Sequence, residues 1–206
     1  MTNVTDLKTI ENEFFREVSI RICGSLDIQK ALWMCFQYVR TVMPLDELQM
    51  ACYDPKLGTM KTLAYADETG GHIGSGDAPL SLDSRKELEE PLLHPRVRKV
   101  TSLTDPICYY VGQQRGYDVS SFLVNRLIVD GKHIGTFVAR AVGENRYTDE
   151  HLRLWTLINE PAAIALANYF QYRELSRIKD LLADDKSYLQ SELRKNFGDK
   201  VIGADF

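Results

Sequence analysis

The sequence has too little excess of either charge to define a partner. Lys and Arg total 25 against 29 Asp and Glu, a formal net charge of −4, so no global positive field draws in nucleic acid or an anionic lipid surface. Long apolar runs are missing too. The longest uncharged, largely apolar stretch, PAAIALANYF at 161–170, is about half of a membrane span. The first twenty residues alternate charged and apolar side chains without the apolar block of a secretory signal. These absences predict a cytoplasmic protein with no membrane partner and no direct nucleic-acid partner.

Cysteine and histidine are sparse and scattered. Cys23, Cys35, Cys52 and Cys108 contain no Cys-x-x-Cys pair, which fits buried reduced thiols and excludes a clustered iron–sulfur centre. His72, His94, His133 and His151 form no His-x-x-x-His or Glu-x-x-His pair on a helix. No metal or haem is implied, and the cofactor is left unknown. No Gly-x-x-x-x-Gly-Lys-Ser/Thr phosphate loop and no recognition helix occur. Spacing alone argues no Ser-His-Asp set and no catalytic carboxylate pair, so the chain is not expected to be an enzyme.

What is present is a clear order of elements. Leu7, Ile10, Phe14, Val18 and Ile22 form a helical stripe that ends before Gly24. Ser25 or Asp27 caps a second helix with Ile28, Leu32, Cys35, Phe36, Val39 and Met43 inward, stopped by Pro44. A hairpin follows, turning at Pro55–Gly58. Residues 67–119 are poorly patterned and glycine-rich, with a short helix over 84–90 and a short strand in RVRKVT. Such a stretch inside one domain reads as a functional cover. Asp130-Gly131 then joins two apolar strands, the clearest hairpin signal in the chain. Thr148 caps a last helix, with Asp149 and Glu150 in its first turn. That helix is expected to run unbroken to about 196, bent at Pro161, with its second half projecting.

The order predicts an α+β fold: an antiparallel sheet of five to six strands, helices on one face, a loop cover on the other, and a long C-terminal helix. It resembles a GAF domain, most specifically over 121–175, where strand, Asp-Gly, strand is followed by NRYTDE and then AIALAN. The tail RIKDLLADDKSYLQSELRKNFGDKVIGADF is similar to the connector between a GAF sensor and the AAA+ ATPase of sigma-54-dependent transcriptional activators. In that family an apolar-apolar-Gly strand opens the ATPase, here Val201, Ile202 and Gly203. The resemblance implies an N-terminal helix at 1–24, a GAF sensory domain at 25–172, a coiled-coil linker helix at 173–198, and the start of a truncated AAA+ domain at 199–206. The implied function is a ligand-responsive regulatory domain of a bacterial transcriptional regulator, controlling the downstream ATPase through a dimeric signalling helix. The alternatives are an input domain of a histidine kinase or cyclase, or a GAF-fold redox enzyme. The implied partners are a small-molecule effector of unknown identity, a second copy of the chain, and the AAA+ domain.

Two sets of residues are singled out. Ser121, Leu123 and Asn125 lie along one face of the central strand, and Phe122, Val124, Arg126 and Ile128 along the other. The polar pair Ser121 and Asn125 among aliphatics suits a ligand pocket, with Tyr65, His72, Tyr109 and Tyr110 closing it from the cover. Cys108, Asp105, Tyr109 and Tyr110 also imitate the ligand types of a non-haem iron sensor, although ordinary loop chemistry explains them. In the tail, Leu175, Leu182 and Leu189 repeat every seven residues, flanked by Tyr172, Ile178 and Leu193, which predicts a two-stranded coiled coil. Seven basic residues face six acidic ones over 173–200, a balance that suits a solvated coil and not a phosphate-gripping helix.

Overall fold

The computed structural model describes residues 4–74, 76–89 and 95–198, with side chains described over 7–74, 76–89 and 95–192. The chain divides into two compact units, residues 1–168 and 169–206. In the first, α1 (Val4–Cys23) packs on α2 (Ile28–Val39). Asp27 caps α2, accepting from the N–H groups of Gln29 and Lys30. All six residues predicted to point inward from this helix and its exit, Ile28 to Met43, are buried.

Strands β1 (Glu47–Asp54) and β2 (Thr59–Asp67) form the first hairpin where the turn signal put it. The cover is more regular than its sequence suggests. It holds β3 (Gly70–Ile73), β4 (Asp77–Pro79), α3 (Leu82–Glu89), β5 (Val97–Thr101) and α4 (Pro106–Arg115). The second hairpin, β6 (Ser120–Val129) and β7 (Lys132–Val142), turns through Asp130 and Gly131 at φ 49° and 73°. That left-handed pair matches the twist of the strands it joins.

All strands lie in one antiparallel sheet of order β3-β2-β1-β7-β6-β5, with β4 pairing β2 beside β3. Seven segments therefore fill six positions, in line with the sequence expectation. Successive side chains alternate faces, so the register sorts them into rows. One face carries Met50, Phe137 and Asn125 side by side, and Phe137 stacks on Trp155 at 4.8 Å. This face meets the helices. The other carries three rows toward the cover. They are Ala51, Thr136 and Arg126; Gln49, Val138, Val124 and Arg98; and Glu47, Arg140, Phe122 and Val100.

The last helix is two helices, which corrects the expectation of one bent rod. Thr148 caps α5 (Asp149–Leu157) through a capping box with His151, and α6 (Asn159–Gly198) begins after Ile158. Pro161 falls in the first turn of α6, where its missing N–H has no carbonyl to serve and its fixed φ favours the helix. A break just upstream removes the cost of a proline deep inside a helix. Ala162, Ala163 and Leu166 of α6 are buried. In the second unit the same helix carries Tyr172, Leu175, Ile178, Leu182 and Leu189 exposed. The side chain of Leu193 and the expected ATPase start at 199–206 lie outside the described residues.

Candidate functional site

A cavity of about 60 Å³ lies between the sheet and the cover. Its floor is the first two cover-facing rows, with Phe122 of the third and Met60 and Thr62 of β2, and its roof comes from α3 and α4. Apolar packing on this face splits into two clusters: Ala51, Met60, Leu80 and Ile107 in one, Phe122, Val124 and Val138 in the other. Residues of both clusters line the cavity. Among these aliphatic walls stand Gln49, Thr62, Glu87, Arg98, Arg126 and Thr136. An apolar enclosure with a few polar groups is the form of a small-molecule site.

The polar groups are held in place. Arg98 Nη1 lies 2.7 Å from Asp105 Oδ2 and 3.3 Å from Glu87 Oε1. The other Asp105 oxygen accepts from the Cys108 N–H at 2.8 Å, capping α4. Asp105 thus fixes both the start of the roof helix and the cation below it. Arg126 is 5% exposed. Burial, then the neighbouring Arg98 cation, lowers its pKa from the usual arginine value, while Glu87 opposes the shift. The Cys108 thiol is pushed well up by burial and by the Asp105 carboxylate.

The far end of α4 is fastened to β1. Arg115 Nη1 donates to Glu47 Oε1 at 2.9 Å and to Gln49 Oε1 at 3.0 Å, and also to the Tyr117 hydroxyl. Tyr117 in turn donates to Glu47 at 2.6 Å. Burial, and then the Glu47 charge, raise the Tyr117 phenol above its usual range. Arg115 also covers the Tyr65 ring at 5.1 Å, and Tyr65 stacks on His72 at 4.8 Å.

None of the seven candidate ligand residues lines this cavity. Tyr65 and His72 do meet, but beside the Arg115 fastening. Tyr109 and Tyr110 stand exposed on α4, edge to face with each other. Ser121, Leu123 and Asn125 were expected beneath the cover; they face away from it. Leu123 is core, Ser121 donates to the Gly143 carbonyl, and Asn125 donates to the Trp155 carbonyl at 3.0 Å. The cavity takes the other parity of β6: Phe122, Val124 and Arg126. Arg98 and Arg126, cations at inward positions, are the signal that marks this face. Of the residues weighed as an iron set, Asp105 is committed to Arg98 and the α4 cap. His94 lies outside the described residues. Among those described, no group of three or more His, Cys, Asp or Glu is placed to hold a metal, and no helix is long and apolar enough to cross a membrane.

Structural comparison places the architecture. The phycoerythrobilin-bound GAF domain of a cyanobacterial phytochrome superposes with TM-score 0.56 at 17% identity, over 79% of this chain and 96% of that one. The GAF domain of a phosphoenolpyruvate-protein phosphotransferase from Coxiella burnetii gives 0.56 at 14% identity, over 81% and 96%. The fold is a GAF fold. The chromophore-binding domain of the Stigmatella aurantiaca bacteriophytochrome gives 0.55 at 17% identity, over 77% and 60%. No protein-family profile matches the sequence, and no curated protein matches it either. In this GAF fold the cavity occupies the space between the sheet and its cover, while α5 and the first turns of α6 pack behind the sheet.

Proposed function

We propose that this chain is a ligand-responsive regulatory domain and not a catalyst. The observation that carries the reading is the largely apolar cavity whose roof helix, α4, is tied at both ends by ion pairs, Asp105–Arg98 and Arg115–Glu47. A ligand that fits the cavity favours one packing of that helix, which is a shift between pre-existing states. The cavity is far smaller than the ~300 Å³ at which drug-sized sites begin, so the ligand is small or the cover moves to admit it. A bilin of the kind named for the phytochrome domain is far too large for the cavity as it stands.

A route to the signalling helix supports the same reading. The Arg126 side chain lines the cavity, and its main-chain carbonyl accepts from Asn159 Nδ2 at 3.0 Å, at the first residue of α6. One residue earlier, Asn125 holds the last turn of α5. The α5–α6 junction is therefore riveted to β6 directly behind the cavity wall. We further propose that α6 pairs two copies of the chain, and that the chain is the cytoplasmic sensor of a sigma-54-dependent regulator whose AAA+ ATPase follows it. The solvated leucines of α6 and the resemblance of the tail support this.

The redox alternative needs a reactive thiolate. Burial raises the pKa of Cys23, Cys35, Cys52 and Cys108 alike, which disfavours it. An input domain of a histidine kinase or cyclase shares the cavity and differs only in what α6 drives. Native mass spectrometry of freshly purified protein tests the sensor reading. A small molecule that co-purifies and is lost when Val138→Trp fills the cavity is the expected result; retention in that variant places the ligand elsewhere.

A further inference from the structure

The charges at the cavity wall cancel. Arg98 gives Nη1 to Asp105 at 2.7 Å and to Glu87 at 3.3 Å. Glu87 also lies close enough to Arg126 to favour its charged form, against the burial that opposes it. Glu87, Arg98 and Arg126 line the cavity, and Asp105 caps the roof helix α4. Two cations are thus set against two carboxylates, and among the described residues no other charged side chain lines the cavity. An ion entering this space gives up its hydration and finds no countercharge left to meet it. A neutral molecule escapes that cost. One donor is nonetheless left over. The Nε–H of Arg98 is buried with no acceptor among the described residues, and a buried donor without a partner costs stability. Much of the remaining wall is apolar: Ile107, Val111, Phe122, Val124 and Val138.

We propose that the ligand of this cavity is a small uncharged molecule, an apolar body carrying one carbonyl oxygen as a hydrogen-bond acceptor. The oxygen takes the Nε–H of Arg98, and the body lies on Phe122, Val124, Val138 and Ile107. The proposal rests on the reading of the cavity as a ligand site and adds the chemical class, neutral in preference to either ion. Size narrows it further. An apolar cavity of about 150 Å³ takes benzene, and this one is about 60 Å³, so the body is smaller than a benzene ring unless the cover moves. Because Arg98 holds Asp105 at the cap of α4 and Glu87 on α3, a ligand on Arg98 bears on both roof helices.

The test uses the whole chain and four probes matched in non-hydrogen atoms: 2-butanone, propanoate, 2-aminobutane and 2-methylbutane. Affinities are read from amide shifts in NMR titrations. The ketone is expected to bind at least tenfold tighter than the acid or the amine, and at least threefold tighter than the alkane. Its amide shifts should centre on β5, β6 and α4. Arg98→Lys keeps a cation opposite Asp105 and Glu87 but has no Nε–H, and should bring the ketone within twofold of the alkane. Glu87→Gln leaves the wall with net positive charge, and should raise the affinity for propanoate relative to butanone at least fivefold. The wild-type comparison decides the class whether or not these variants fold. An acid or amine that binds the wild-type chain as tightly as the ketone overturns the neutral class. An alkane that matches the ketone, or an unaltered ketone preference in a folded Arg98→Lys chain, overturns the role of Arg98. Shifts centred elsewhere overturn the placement. If none of the four binds, the ligand class is wrong, and co-purification decides the cavity reading separately.

Discussion

The side-chain amide of Asn125 donates to the main-chain carbonyl of Trp155 at 3.0 Å, across the helix-facing side of the sheet. Asn125 is fully buried, so the bond forms away from water. It serves the last turn of α5, where a helix end leaves carbonyls without donors. Asn125→Leu keeps the approximate volume and removes the donor. The expected outcome is a loss of about 1–3 kcal/mol in denaturant unfolding, with affinity for any cavity ligand unchanged. A variant of wild-type stability with weakened ligand binding would return Asn125 to the site.

Asn159 makes the reciprocal bond, to the carbonyl of cavity-lining Arg126. If this bond carries the signal, Asn159→Ala separates binding from response. Ligand affinity should stay within about twofold, and the ligand-induced change in hydrogen exchange over the start of α6 should vanish. An undiminished exchange response in this variant rules out the Arg126–Asn159 route.

Arg115 and Glu47 fasten α4 to β1, with side chains 19% and 7% exposed. Removing one partner of a buried pair leaves the other charge uncompensated. Arg115→Met is expected to cost about 3 kcal/mol, at the low end of the range for such pairs because Tyr117 still serves Glu47. Adding Glu47→Gln should recover part of that loss, a non-additivity read from a double-mutant cycle. Strict additivity would show that the contact contributes nothing.

His151 accepts from the Thr148 N–H through Nδ1 in the α5 capping box. Burial holds its pKa below the ordinary 6.5; Glu150 opposes the shift and Lys99 reinforces it. His133 is lowered in the same way, by burial and then by Arg126. A depressed folded-state pKa means the unfolded chain binds the proton more readily. The stabilisation is therefore complete above about pH 6.5 and is lost as pH falls through the lower folded values. His151→Gln keeps an acceptor that does not titrate. It should flatten the decline in unfolding midpoint between pH 7 and pH 5, and an unaltered slope would assign the decline to other groups.

Placing Leu175, Leu182 and Leu189 at the a positions of a coiled coil puts Ile178, Asp185 and Glu192 at the d positions. Two acids at a buried seam weaken pairing. Asp185→Leu is expected to tighten dimerisation severalfold, and Leu182→Asp to give monomers, both by sedimentation. If Leu182→Asp remains dimeric, α6 is not the main interface.

Gly71 of β3 sits on the first turn of α2, and a Cβ there would meet the Gln29 carbonyl oxygen at 2.2 Å. Backbone cannot yield as a flexible side chain does. Gly71→Ala should cost about 1–3 kcal/mol and loosen the sheet edge, read as faster amide exchange in β3.

Much of the scaffold was legible from residue order. Apolar spacing placed α1 and α2, and the turn residues at 55–58 and Asp130-Gly131 placed both hairpins. These signals act between neighbours in the chain, so sequence carries them directly. Helix α4 had its local marks as well, Asp105 as cap, Pro106 in the first turn and a left-handed Gly116 after the end. Its apolar period is poor, because Tyr109 and Tyr110 are exposed beside buried Ile107, and the pattern hid it.

The site itself was decided by tertiary structure. A strand buried on both faces gives no clue to which parity meets the cover, and a shift of one residue exchanges the whole set. The sequence separated Ser121, Leu123 and Asn125 from Phe122, Val124 and Arg126. Only the packing of α5 against one face, and of α3 and α4 against the other, assigned the cavity to the second group. Glu47 and Arg115, and likewise Arg98 and Asp105, come from segments whose proximity no local rule records. Local sequence determined the first two helices and the two main hairpins. The register across β1, β7, β6 and β5 determined which side chains share an enclosed space, because long-range pairing, and not local preference, sets that register.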